Sequence, residues 1–241
     1  VTALLVGLLV GACMALFGAG AGSITIPLAV HLMHLPYRTA GIAGLVVVLS
    51  SGIAVVLISS RKRLVDFRAA LPFLVLSAPT TLIAARLSRH VSDRSSALLL
   101  AALLISASIV FWFRHQEKKV RHDIIRGSLG AIAAGGTSGI LGVGAGFVVV
   151  PALRLASGLT IAKAVATSSL VLAVNSIAAL IVRHNEAKSI ASLWLLALAA
   201  IVGAILVGSV SHRIPAKLRH RGLSILLMGF AIVTLIDALN K

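Results

Sequence analysis

An all-α, polytopic integral membrane protein, built of about eight hydrophobic helical segments in two repeats, is the fold that three observations predict. Hydrophobic residues fill 59% of 241 positions against 12% charged, an excess beyond the usual globular balance. The 22 Lys and Arg and 6 Asp and Glu residues bunch between long stretches that contain no charge. The chain also repeats one of its own motifs. A water-soluble domain is excluded, and so is a membrane barrel, whose strands would alternate over segments of roughly ten residues.

Taken in order, the charge-free runs are 1–37, 39–60, 69–85, 95–113, 127–153, 164–182, 189–212 and 222–236. A bilayer core of about 30 Å needs about 20 apolar residues as helix, so most of these runs suit a membrane segment. The first begins without a charged leader and continues through a glycine-rich stretch, so it reads as part of the fold rather than a signal peptide. Runs 1–37 and 127–153 are too long for one straight span. Each contains glycines and then a proline, which predicts a broken first helix in each repeat, with Pro27 and Pro151 as the breaking residues.

The repeat itself is explicit. A shift of 124 positions lays FGAGAGSITIPL, residues 17–28, on LGVGAGFVVVPA, residues 141–152. Gly18, Gly20, Ala21, Gly22 and Pro27 recur as Gly142, Gly144, Ala145, Gly146 and Pro151. Further on, Ser50, Ser51 and Gly52 fall opposite Val174, Asn175 and Ser176. The expected organisation is a first transmembrane repeat at 1–113, a polar connecting loop at 114–126 and a second repeat at 127–241.

Basic residues test the path of the chain. If every segment crosses fully, the connections on the two sides carry ten and twelve Lys and Arg residues, which is no bias. If the broken first segment of each repeat enters and leaves on one face, the division becomes fifteen against seven, the excess expected of a cytoplasmic side. Each repeat then crosses three times, and an odd number of crossings inverts the second copy relative to the first. Both chain ends would lie outside.

A formal charge of +16 would suggest nucleic acid in a soluble protein. Here the cations sit in short connections, aromatics do not interleave with them, and topology and anionic-lipid contact account for them, so no nucleic-acid partner is expected. The single cysteine, Cys13, excludes an intrachain disulfide and a cysteine-cluster metal site. No HExxH or patterned Cys and His cluster is present, nor a nucleophile triad, so neither a metal, a cofactor nor enzymatic catalysis is expected. Asp66, Asp93, Glu117, Asp123, Glu186 and Asp237 all lie in connections or near segment ends, leaving no central carboxylate as a proton relay or sodium ligand.

The paired glycine segments are the leading site candidates. A helix broken at mid-membrane exposes unpaired amides, and its N-terminus carries roughly half a positive charge, so it can hold an anion without a charged side chain. The candidates are Gly18, Gly20 and Gly22 with Ser23 and Thr25 in the first copy, and Gly142, Gly144 and Gly146 in the second. Close helix packing is the competing reading, because Gly18 to Gly22 and Gly142 to Gly146 also have GxxxG spacing. In the next apolar runs, Ser50, Ser51, Thr167, Ser168 and Asn175 could donate to an oxyanion. Serine and threonine can instead bond a preceding carbonyl, whereas the Asn175 amide needs more partners. Arg154, Lys163, His31 and His34 flank the motifs, where snorkelling or interfacial placement is the simpler reading.

The doubled GxGxG segment with its downstream proline, followed by the AxAT pattern at Ala164 to Thr167, resembles the sulfite exporter TauE/SafE family across nearly the whole chain. Family motifs often carry a third adjacent glycine where this chain has Ala21 and Ala145. The resemblance implies a multi-pass transporter of the plasma membrane, a bacterial inner membrane. Its substrate would be a small sulfur-containing anion such as sulfite, an organosulfonate or a related small organic anion, moved outward by alternating access. Membrane lipids, a coupling proton and self-association into a homo-oligomer are the partners to consider. The alternative is a non-transporting membrane scaffold whose glycine motifs only pack helices.

Overall fold

A computed structural model of the chain describes residues 2–17, 21–113, 123–143, 145–187, 193–208 and 216–239. The described residues form helices and no strand. In order these are α1 (Thr2–Phe17), α2 (Ala21–Met33), α3 (Tyr37–Arg61), α4 (Phe67–Leu87, extended by a 3-10 turn at Ser88–His90), α5 (Asp93–Phe113), α6 (Ile124–Leu141), α7 (Gly146–Ser157), α8 (Ile161–Val182), the single turn α9 (His184–Ala187), α10 (Leu193–Gly208) and α11 (Ala216–Leu239).

Local chemistry sets several of the starts. The Asp66 carboxylate accepts from the Ala69 amide at 3.0 Å to open α4, and that of Asp123 accepts from the Arg126 amide at 3.0 Å to open α6. Two of the acidic residues are therefore helix caps. Helices 37–61, 67–90, 124–141 and 161–182 are long and apolar enough to cross a bilayer. Large apolar side chains such as Leu57 (63% exposed) and Leu71 (66%) face outward, while alanine, serine and threonine crowd the interior. That is the distribution of a bundle solvated by lipid.

The second motif doubles back. Gly127 and Gly130 of α6 abut Ala156 and Ala152 of α7, and the Asp123 amide at the mouth of the hairpin donates to the Leu155 carbonyl at 2.9 Å. Helices α6 and α7 therefore form an antiparallel hairpin whose open ends meet at Asp123 and Leu155. At about 1.5 Å per residue, the 12-residue α7 spans roughly 18 Å, well short of a bilayer core.

The proline expectation needs correction. Pro27 and Pro151 lie inside α2 and α7, and in the second copy the interruption lies earlier, between α6 and α7. There Gly142 provides the break, since its backbone adopts the left-handed turn. A proline in the second turn only removes one amide bond to the carbonyl four residues back.

Packing pairs run across the chain. Gly7 and Gly11 of α1 lie on Leu196 to Ala200 of α10, and Gly203 lies on Leu8 and Ala12, so these helices run parallel. Gly135 of α6 meets Ser77 and Thr80 of α4, and Gly139 meets Thr81 and Ala84, again parallel. Helices α3 and α8 are antiparallel, with Gly41 beside Arg183 and Gly52 beside Ala173. Helices α5 and α11 join through Ser108 and Ser224, each hydroxyl donating to the other residue's carbonyl at 2.9 and 2.8 Å. Exchanging α1, α3, α4 and α5 for α6, α8, α10 and α11 converts α1–α10 into α6–α4 and returns α3–α8 and α5–α11 to themselves.

Cross-links mark two faces. On one, the Asp66 amide donates to Thr167 Oγ1 at 3.0 Å, joining the α3–α4 connection to the start of α8, near the mouth of the hairpin. On the other, Arg183 Nη2 donates to the Arg38 carbonyl at 2.7 Å, Arg89 Nη2 to the Val182 carbonyl at 3.2 Å, and Tyr37 Oη to Asp237 at 2.9 Å. The first face carries most of the basic connections, the excess expected of a cytoplasmic side. His34 and Arg63 are both exposed. In intact cells, His34→Cys is expected to react with an impermeant maleimide and Arg63→Cys only after permeabilisation; the reverse labelling would invert this orientation.

Candidate functional site

Helix α6 ends at Gly142, whose φ of 72° and ψ of 15° are left-handed, with its amide donating to the Ser138 carbonyl at 3.1 Å. Glycine takes this conformation without the steric penalty of a Cβ. Ala145, at φ 21°, precedes α7, and the first amides of that helix, at Gly146 and Phe147, stand where no intrahelical acceptor exists. The hairpin tip thus joins the carbonyl end of one helix to the amide end of another.

Two glycines of α3 receive the tip. The Leu141 carbonyl points at Gly41, and Gly142 lies against the backbone of Gly41. A Cβ on Gly44 would stand 2.8 Å from the Gly142 oxygen and 3.5 Å from the Gly22 oxygen. Gly44 is therefore where the second glycine motif meets the start of α2. The negative carbonyl end of α6 is turned into a side-chain-free seat on α3, apart from the amide end of α7. Gly18, Gly20 and Gly144 lie outside the described residues. Gly22, Ser23, Thr25 and Gly146 are buried.

Several hydroxyls bond within their own helices. Ser50 donates to the Val46 and Val47 carbonyls, Ser51 to Val47, and Ser168 to Val165 at 2.8 Å. Thr167 accepts from the Asp66 amide, and 16 residues of α8 separate it from Arg183, which stands beside the tip; at 1.5 Å per residue that is about 24 Å. The structure does not bring Thr167 to the tip.

Asn175 behaves differently. It is fully buried; its Oδ1 accepts from Ser77 Oγ at 3.1 Å, and its Nδ2 has no partner among the described residues. Ser138 and Ser176, both buried, also have hydroxyls without a partner. Buried donors left unpaired cost about 1–3 kcal/mol each, so the Asn175 amide marks a polar locus where α4 meets α8. Ser77 ties it together, its hydroxyl on Asn175 and its carbonyl on Gly135 of α6. Asn175 lies about 12 Å deeper along α8 than Arg183, so tip and amide are two stations rather than one coordination shell.

Sequence reasoning missed Ser77, Ser138 and the docking role of Gly41 and Gly44. It counted Arg183 only as a topogenic charge, yet that residue is 2% exposed. Of the flanking residues, His31, His34 and Lys163 are exposed, and Arg154 is half-buried with its Nε unpartnered. No group of three metal-ligating side chains occurs among the described residues.

The chain is 25% identical over 244 aligned positions to a protein of Bacillus subtilis (strain 168) called "Probable membrane transporter protein YunE", covering 89% of this chain and 88% of that protein. No solved structure matches it. Residues 3–235 match the description of a single transporter family. With a helical fold that crosses the plasma membrane several times, the chain belongs to the sulfite exporter TauE/SafE family of membrane transporters.

Proposed function

We propose that the protein is a secondary transporter that exports a small sulfur-containing anion, sulfite or an organosulfonate, by alternating access. Residues 1–113 and 127–241 act as two inverted repeats around the α3–α8 contact. One observation carries the reading: the fully buried Asn175 presents amide hydrogens that no group among the described residues accepts. Such donors suit an oxyanion, whose lone pairs accept several hydrogen bonds. The amide end of α7 adds positive potential at the hairpin tip. No acidic side chain among the described residues is buried. Membership of a family described as sulfite exporters supports the sulfur chemistry and the outward direction.

Purified protein in liposomes tests this. Entrapped sulfite or a short-chain sulfonate should leave faster than from protein-free vesicles, with saturable kinetics, and the panel is repeated with and without a pH gradient to identify coupling. Flux of cations or neutral solutes, with no flux or binding of sulfur oxyanions, would remove the substrate assignment.

A further inference from the structure

Helices α5 and α11 leave a groove of about 320 Å³ between them, lined by Ser108, Ile109, Trp112, Ser224, Ile225 and Met228. Ile109, Trp112 and Ile225 are exposed, so the groove opens outward to lipid. Its two hydroxyls are buried at the helix contact, and each already donates to the other residue's carbonyl, which leaves hydrocarbon as the surface on offer. An empty gap of this kind would forfeit the dispersion contacts of its lining. From Met228 to Ser224 on α11, and on from Ser108 to Trp112 on α5, the lining runs over eight residues, about 12 Å along the helices. It is a slot for a chain.

The two ends of the slot differ. Tyr37 holds Asp237 of α11, and α5 starts at Asp93 just after the Arg89 cross-link, both on the second face. The helices are therefore antiparallel, and α5 stops and α11 starts at the first face. Trp112 stands one residue before the end of α5, the headgroup level that tryptophan favours. Arg221 is exposed one turn before Ser224 and Ile225, and α11 opens with AKLRHR, which also contains Lys217 and Arg219. Residues 213–221 hold four Lys and Arg and no carboxylate, and residues 114–122, which follow α5, hold four and one. Whatever pairs form among them, the sum at that end is positive.

We propose that the α5–α11 groove is a binding site for one anionic phospholipid of the cytoplasmic leaflet, with an acyl chain in the slot and the phosphate-bearing headgroup at the start of α11. A zwitterionic lipid fills the slot equally well but brings no net charge to the cations. The site therefore selects by headgroup. Because α5 closes the first half of the chain and α11 the second, the seated lipid touches both.

The experiment uses full-length protein in phosphatidylcholine vesicles. In Trp194→Phe, Trp112 is the one tryptophan left, and phospholipids with brominated acyl chains quench it on contact. Brominated phosphatidylglycerol is expected to reach Trp112 at least about fivefold more effectively than brominated phosphatidylcholine, roughly what one Lys or Arg contributes at an anionic surface. Raised salt, or Lys217→Gln, Arg219→Gln and Arg221→Gln together, should bring that ratio toward one. In Trp112→Phe, the exposed Trp194 at the start of α10 reports ordinary surrounding lipid and should show no preference. Equal quenching of Trp112 by the two lipids overturns the proposal, as does a preference that the triple variant keeps. A Trp112 that neither lipid reaches also overturns it, and marks a second copy of the chain over the groove. Where Trp194→Phe does not fold, native mass spectrometry of the wild-type protein taken from an equimolar mixture of the two lipids replaces it; phosphatidylglycerol adducts no more abundant than phosphatidylcholine adducts then overturn the site.

Discussion

Gly142→Ala is expected to lower stability by about 2–4 kcal/mol, combining about 1 kcal/mol or more for a Cβ at left-handed φ with about 1–3 kcal/mol for forced packing. The added methyl would run into the Gly41 backbone, which has no flexible side chain to move aside. The tip must then lift off α3. Flux should fall with stability, and the denaturation midpoint in detergent reads the effect. Gly136 of the same helix has nothing within 4 Å of its Cβ position, so Gly136→Ala should change stability by under about 1 kcal/mol. Equal stability of the two variants would contradict the seating of the tip on Gly41.

Asn175 separates transport from scaffolding. Asn175→Ala removes an amide that accepts one hydrogen bond from Ser77 and leaves its own Nδ2 unpaired, so the lost bond and the relieved burial nearly offset. The expected stability change is under about 2 kcal/mol, while sulfite flux falls at least about tenfold, the loss of one charge-assisted hydrogen bond to the solute. Asn175→Asp replaces the donor with a negative charge at the same depth and should reduce flux further. A scaffold whose polar groups serve only packing would show the opposite pattern, losing assembly with Asn175→Ala before any measurable flux.

Segment order was readable because lipid imposes it. Charge-free runs had to become helices, and the second glycine motif located the interruption after Leu141. Charge counting favours a path that collects fifteen Lys and Arg residues on one side over one that splits them ten and twelve. Position within a helix was harder to read. Pro27 and Pro151 looked like the break, but backbone freedom at glycine decides it, and a proline one turn later is tolerated. The site was only half legible. Asn175 stood out because a primary amide has more hydrogen-bonding groups than one helix can satisfy. Ser50, Ser51 and Ser168 carry the same chemistry on paper, yet bond their own helices. Arg183 could not be recognised, because a cation just past an apolar run looks the same whether it faces headgroups or folds inward under a neighbouring helix.

The glycine contacts between α1 and α10, and between α4 and α6, bring main chain against main chain with few projecting groups. Surfaces so close resist separation, because close approach is what binds helices in lipid. Methyl groups such as those of Ala199 and Ala84 seat in the glycine notches, so each parallel pair is keyed in register as a single stiff unit.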